Sequence, residues 1–279
     1  MSEMASGVRP LAGALGAEVT GIDLATQSDA GFTDLRKAFL EHQVLVFRDQ
    51  TLNAATYLQI ARQFGSPVAY PFAEGVLDHP EITVIIKEPH QTSNFGGMWH
   101  SDTTYKLEPP KATMLYCRET PEAGGDTVFA CQYRAFEALS APMQKILTGF
   151  NGVSSSGKNA AALRGTHLAT GTMQGTGRAD VMTAVHPVVR RHPETGRRAL
   201  YVNPSHTVGF EGMTDAESAP ILEFLFQHQI RLEFTARVRW APGTLVIWDN
   251  RSSQHCAIND YDGHRREMWR ITLAGDPPV

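Results

Sequence analysis

The apolar residues of "SDAGFTDLRKAFLEHQ" fall at Phe32, Leu35 and Phe39, a recurrence that puts them on one face of a helix, with Ser28 or Asp29 as its N-cap. The run "VLVF", Val44 to Phe47, reads as a buried strand. "TLNAATYLQIARQFG" returns to helical spacing through Leu58, Ala61 and Phe64, and Gly65 closes it. Beyond that point strands dominate: "ITVIIK", "ATMLYCRE", "DTVFA", "ALYVN", "RVRW", "TLVIWD" and "WRITLAG" are short β-branched or aromatic runs separated by Gly, Pro, Asn and Asp. Two further helices are predicted over "CQYRAFEALSAPMQKILTG" and "DAESAPILEFLFQHQ", the second with Ile221, Leu222, Leu225 and Phe226 as its apolar stripe. Many short strands and few helices predict a mainly β fold, a sandwich or jelly-roll barrel with helices flanking it.

From Asn151 to Asp180 the chain is rich in Gly, Ser, Thr and Ala without a sustained apolar period, and reads as a long mobile loop. Strand signals continue on both sides without a charged or proline-rich linker. A single domain over 1–279 is therefore expected, with 151–180 as an active-site lid.

Composition narrows the partners. With 279 residues, 42% of them hydrophobic, the chain can bury one large core. A formal net charge of -4 offers no basic surplus for phosphate backbones or anionic membranes, so a small molecule is the expected partner, with no nucleic acid and no membrane. The three cysteines, widely spaced and without a C-x-x-C pair, provide neither a disulfide framework nor a thiolate zinc site, and fit a reducing cytoplasm. No stretch approaches the roughly 20 apolar residues of a membrane span, and no basic start precedes an apolar run, so a soluble, unexported, cytoplasmic protein is expected.

Residues two apart on a strand share a face, so His100 and Asp102 of "GGMWHSDTTY" can reach one ion from a single pleat. The chain holds two other His-x-carboxylate pairs, His79-Pro-Glu81 and His192-Pro-Glu194. Proline stands between the side chains in both, and "RRHPETGRR" has the form of a charged hairpin turn, so both read as solvated loops. His100 instead follows Gly96, Gly97 and Trp99, the context of a strand end that lines a pocket. In "TLVIWDNRSSQHCA" a buried strand runs into a polar loop ending at His255, either a second ligand or a satisfied histidine at a strand edge. Two histidines and a carboxylate make a facial triad that leaves about three coordination positions open, as in non-haem Fe(II) oxygenases. Zinc hydrolysis can use the same donors.

In "NDYDGHRREMWRITLAG" Arg266 and Arg270 are four apart. Arg270 lies between Trp269 and Ile271 in an apolar strand pattern, where an arginine is tolerated when its fork meets an oxyanion. Arg265 reads as a surface ion pair.

At this point nearly the whole chain resembles the Fe(II)/2-oxoglutarate-dependent dioxygenases of the taurine dioxygenase and phenoxyalkanoate dioxygenase family. The likeness runs through "PLAGALGAEVTGIDL", "HQVLVFRDQ", "WHSDTTY", "PPKATMLY", "GGDTVFA", "HPVVRRHPETGRRALYVN", "FTARVRWAPGTLVIWDNRSSQH" and "RREMWRITLAGD". The resemblance implies a cupin-like double-stranded β-helix, a jelly roll whose mouth holds Fe(II) on His100, Asp102 and His255. It implies 2-oxoglutarate and O2 as co-substrates, with Arg266 and Thr127 on the far carboxylate of 2-oxoglutarate, and Arg270 on the anion of the substrate. The implied chemistry is hydroxylation with release of succinate and CO2, followed by C–S or C–O cleavage where the new hydroxyl lies beside such a bond. The carboxylate of Asp102 implies an oxygenase and no halogenation, since halogenating relatives need a small residue there. Taurine dioxygenase carries a His-Pro-Val-Tyr-Pro stretch; here "SPVAYPFAEG" has Pro67 near the histidine's place, which points away from taurine.

Tyr70 and Asn94 match pocket positions of the family, and the candidate pocket of Tyr70, Phe72, Asn94, Thr103 and the lid suggests a small carboxylate, sulfonate or sulfate ester with an apolar or aromatic body. His167 and Lys158 of the lid read as solvated, with anion assistance as the alternative. Trp248 and Cys256 read as core packing, Trp248 falling near the iron by the resemblance. Relatives associate through outer helices, so a homo-oligomer, dimer or tetramer, is also expected. A zinc-dependent hydrolase and a non-catalytic anion-binding jelly roll are the rival classes.

Overall fold

A computed structural model describes residues 7–70, 75–76, 78–158 and 181–279. Its largest element is a nine-stranded sheet in which Val8–Pro10, Ala17–Val19, Val44–Phe47, Leu245–Asp249, Ala112–Glu119, Arg266–Leu273, His79–Lys87 and Gly75–Val76 lie side by side, with Pro67–Val68 also on Arg266–Leu273. The central strands are buried on both faces. Leu245 and Ile247 join Phe32, Phe39, Leu58 and Phe64 of the first two helices, whereas Val246 and Trp248 join Phe129, Trp240 and Met268 on the other side. A strand wedged between two apolar layers has no use for alternation, hence the unbroken "LVIW".

The inner layer is closed by a three-stranded sheet, Thr235–Val238, Thr127–Cys131 and Ser253–Ala257, whose Ala236, Val238, Phe129 and Cys131 share its core. Two sheets enclosing one core, with helices outside, make the mainly β jelly roll that the pattern predicts.

The helices follow their local signals. Asp29–His42 is capped by the Ser28 side chain, which accepts from the Gly31 amide, and buries Phe32, Leu35 and Phe39. Ala54–Phe64 buries Leu58, Ala61 and Phe64 and ends at Gly65. The single helix expected over "CQYRAFEALSAPMQKILTG" is instead two, Gln132–Glu137 and Ala141–Leu147. Ser140 caps the second through the Met143 amide, and Pro142 stands in its first turn, where its missing N–H costs nothing. Asp215–His228 opens with a capping box between Thr214 and Glu217, but only Leu222 and Leu225 of its apolar stripe are fully buried. Phe224 is 46% exposed.

Three sequence readings are corrected. Residues 151–155 are not loop: Asn151–Ser155 is a strand between Thr183–Pro187 and Thr207–Phe210. Small residues allow it, since a Cβ at Gly152 would lie 3.3 Å from Val202. The rest of the expected lid, 159–180 with His167, lies outside the described residues, as does Phe72. His79 and Glu81 belong to the strand His79–Lys87 rather than to a loop, paired with Gly75–Val76 around a turn with Asp78 at φ 70°.

His192 is not solvated; it is 1% exposed. Its Nε2 lies 3.0 Å from Asp249 Oδ2, and its Nδ1 accepts from the Glu194 and Thr195 amides, so the ring donates through Nε2. Asp249 also takes a two-pronged contact from Arg251, whose other nitrogen reaches Glu194. Burial alone would push the Asp249 pKa up, but Arg251 and His192 together hold it well below the usual carboxylate range. The Val189–Arg191 and Arg198–Leu200 hairpin is thereby pinned to the end of the Leu245–Asp249 strand. All three cysteines are free, and burial raises their thiols, Cys117 to about 12 and Cys256 to about 11, so none is a ready nucleophile. Among the described residues no helix is long and apolar enough to cross a membrane.

Candidate metal centre and active site

His100 and His255 face each other as a hydrogen-bonded antiparallel pair: the His100 amide donates to the His255 carbonyl at 3.0 Å, and the His255 amide donates back at 2.8 Å. Backbone pairing brings their rings to a centroid separation of 4.2 Å. Gly96 makes the approach possible. At φ 80° it turns the chain so that its carbonyl accepts from the Ala257 amide, extending the pairing by one more bond. His100 Nδ1 lies 2.6 Å from the Met98 carbonyl, which requires a proton on Nδ1 and leaves Nε2 with a lone pair. The His255 ring lies between Trp248, 4.6 Å away, and Phe129, 6.0 Å away.

Asp102 completes the group. Its Oδ1 is 3.7 Å from His100 Nε2, and ligand atoms of His100, Asp102 and His255 all lie within 4.8 Å of one another in a buried setting. Burial lowers the pKa of both histidines, so they stand neutral. Burial works against ionised Asp102, yet Arg270 first, then both histidines and the Thr113 hydroxyl, hold it well below the usual carboxylate range. Two neutral imidazoles and a carboxylate gathered this closely are a donor set that would hold a divalent ion.

Arg266 and Arg270 share one face of Arg266–Leu273, because residues four apart on a strand point the same way. Arg270 Nη2 lies 2.8 Å from Asp102 Oδ1, an ion pair outside hydrogen-bond alignment, so Nη1 and Nη2 both keep unused donors. Arg266 has no carboxylate partner among the described residues, and its buried Nε and Nη2 have no hydrogen-bond partner. Gly125 makes room for it, since a Cβ there would sit 3.3 Å from Arg266 Cδ. Beside it, Thr127 Oγ1 accepts from Trp240 Nε1 at 3.0 Å, which leaves the hydroxyl proton free to donate. His100, Asp102, His255, Thr127, Arg266 and Arg270 open into one cavity, walled by Ile85, Leu115 and Trp248. Arg265, by contrast, sits in a surface cluster with Glu88, Glu119 and Glu267, as expected.

The expected pocket residues gather less tightly. The Arg270 guanidinium lies 5.0 Å over the Tyr70 ring, and Asn94 donates to the Ala257 carbonyl at 3.2 Å. Thr103 has φ 43°, a costly conformation for a β-branched residue, with its buried hydroxyl unpartnered next to Asp102. Lys158 turns elsewhere, donating to the Thr207 carbonyl at 2.5 Å.

Sequence reasoning missed His206 and Tyr105, whose rings meet at 5.0 Å, with His206 6.1 Å from His100. No local pattern marks them. Burial, with His100 second, pulls the His206 pKa down to about 3. Between about 6.5 and 3 the unfolded chain then binds a proton that the folded chain refuses, so stability falls as pH is lowered, by up to about 1.4 kcal/mol per pH unit. His100 and His255 act with the same sign. His206→Gln should flatten the decline of metal-free Tm between pH 6.5 and 4; an unaltered slope would count against this assignment.

The family model described as "Taurine catabolism dioxygenase TauD, TfdA family" matches residues 7–272. The chain belongs to the TauD/TfdA family. This TauD/TfdA protein is 34% identical to the α-ketoglutarate-dependent sulfate ester dioxygenase of Pseudomonas putida, over 98% of its own length and 90% of the relative's. It is 33% identical to the (S)-phenoxypropionate/α-ketoglutarate dioxygenase of Sphingobium herbicidovorans, over 97% and 95%. A crystal structure of a taurine dioxygenase from Burkholderia xenovorans superposes with a TM-score of 0.82 at 36% identity, covering 98% of this chain and 92% of that one. The TauD/TfdA protein is thus an oxidoreductase of the class that uses 2-oxoglutarate, also called α-ketoglutarate.

Proposed function

We propose that His100, Asp102 and His255 hold Fe(II), that Arg266 and Thr127 hold the far carboxylate of 2-oxoglutarate, and that Arg270 receives the anion of a small substrate. The observation that carries this reading is the shared cavity: three ligand atoms at its floor and two buried arginines with unused N–H groups on its wall. Fe(II) bound there supplies the activation of O2 that couples decarboxylation of 2-oxoglutarate to hydroxylation of the substrate.

The chain contributes placement. Arg266 and Thr127 set where one end of 2-oxoglutarate stops, so its other end falls at the ligand group. Arg270, on the same strand face, sets where the substrate anion stops, with Tyr70 stacked beneath it, and Asn94 and Thr103 complete the proposed pocket. Ile85, Leu115 and Trp248 exclude water from the space between. A carboxylate, sulfonate or sulfate ester with an apolar body suits this wall of one cation and several aromatic rings. Sulfate ester and phenoxypropionate, named in two relatives, both meet that description.

Anaerobic titration of Fe(II) and 2-oxoglutarate, followed by O2 with a panel of sulfonates, sulfate esters and aryloxy acids, tests the reading through a visible charge-transfer band and succinate release. Arg270→Ala should keep the band, because the bound ion then supplies the positive charge that holds Asp102 ionised, while substrate-dependent succinate falls about 100-fold. Undiminished turnover in that variant would remove Arg270 from substrate binding. Activity without O2 or 2-oxoglutarate would instead favour zinc hydrolysis.

A further inference from the structure

Behind Asp102 runs a buried chain of hydrogen bonds whose direction is forced from one end. Trp248 Nε1 donates to Asn250 Oδ1 at 3.1 Å, and the Asp102 amide approaches the same oxygen at 3.3 Å. Both donors lack any accepting capacity, so this atom of Asn250 must be the carbonyl oxygen. Asn250 Nδ2 therefore points to Thr113 Oγ1, 2.9 Å away, and donates to it. The single hydroxyl proton of Thr113 is then directed onward, to Asp102 Oδ2 at 2.6 Å. Trp248, Asn250, Thr113 and Asp102 are each at most 4% exposed, so water does not compete for these bonds.

The register explains how four distant positions meet. Thr113 is directly opposite Trp248 in the pairing of Ala112–Glu119 with Leu245–Asp249, and the Asn250 amide is tied to the Lys111 carbonyl at 2.9 Å. Asn250 follows Asp249, which Arg251 and His192 lock from the other side.

Resting on the metal reading above, we infer that Thr113 and Asn250 are positioning residues that reserve Asp102 as a one-oxygen ligand. The Trp248 indole fixes the amide orientation of Asn250, Asn250 fixes the direction of the Thr113 hydroxyl, and the Thr113 proton occupies Oδ2 and leaves Oδ1 toward His100 and His255. Without the hydroxyl proton the carboxylate is free to rotate, to present both oxygens to the ion, and to pair more fully with Arg270. The three positions open to co-substrate and O2 then become two.

The test uses Co(II) and Fe(II) binding to the full-length protein. In the parent, Co(II) should give a visible spectrum that His100→Ala abolishes. Thr113→Val, nearly isosteric and without a donor, should weaken Co(II) and Fe(II) affinity about 10- to 100-fold and change the Co(II) band shape. Thr113→Ser should restore both. A merely structural threonine would shift Tm and leave the spectrum alone, so Thr113→Val with parental affinity and parental band shape would overturn the inference. So would a serine variant as defective as the valine one. Failure of the parent itself to bind either ion would overturn the metal reading, and the inference with it.

Discussion

Asp102→Asn should abolish Fe(II) retention and, unlike most active-site substitutions, destabilise the metal-free protein by about 3–5 kcal/mol. Asp102 is the one carboxylate paired with Arg270 among the described residues, and both are almost wholly buried. Removing one partner leaves the other as an uncompensated charge in a dry interior, and neighbouring groups do not rescue it. Tyr70 offers Arg270 a ring face, not a charge. The amide also suits the relay badly: one arm of asparagine is a donor, and Thr113 and Arg270 both approach with donors of their own. Denaturant unfolding of metal-free parent and variant measures the loss. A difference below about 1 kcal/mol would mean that Arg270 is neutralised by another route.

Arg266→Met should act in the opposite sense on stability while being as damaging to function. Arg266 is 7% exposed, has no carboxylate partner among the described residues, and lies 5.7 Å from the Trp240 ring centroid and 5.9 Å from that of Tyr261. Burial lowers its pKa, and only partial compensation comes from Tyr261. Replacing it with an unbranched apolar side chain removes a poorly compensated charge, so metal-free Tm should rise. The apparent KM for 2-oxoglutarate should rise on the order of 100- to 1000-fold, because a buried carboxylate–guanidinium contact is lost. Steady-state succinate kinetics and thermal unfolding of the same preparation check both halves. If Arg266→Met instead lowers Tm sharply with an unchanged KM, the arginine serves the fold and not a ligand.

The parts of this protein that were legible in sequence are those whose cause is local. Phe32, Leu35 and Phe39 mark a helix because burial repeats along their own turn, and "LVIW" marks a strand because both its faces meet apolar layers. The metal-ligand candidates were visible for a different reason: His100 and Asp102 are two apart on one stretch, and His255 follows a strong strand signal. His192 failed the same test. Its partner Asp249 is 57 positions away, and nothing in "RRHPETGRR" announces that the ring will replace water as acceptor for two turn amides. Thr113, Asn250 and His206 were invisible on the same ground. The helix break at Ser140 and Pro142 was readable, being a cap followed by a first-turn proline, yet the apolar spacing on either side concealed it.

The strand pair Thr127–Cys131 and Ser253–Ala257 carries Thr127 at one position and His255 at another, with Ala257 opposite Thr127 and His255 opposite Phe129. Local opening of this one ladder would withdraw both Thr127 and His255 from the cavity in a single event. Whatever binds to either residue therefore suppresses the same opening, so each bound group tightens the other through the backbone in addition to any direct contact between them. The amide protons of His100 and His255, shared across their backbone bridge, should record that coupling as slowed exchange with solvent when either site is filled.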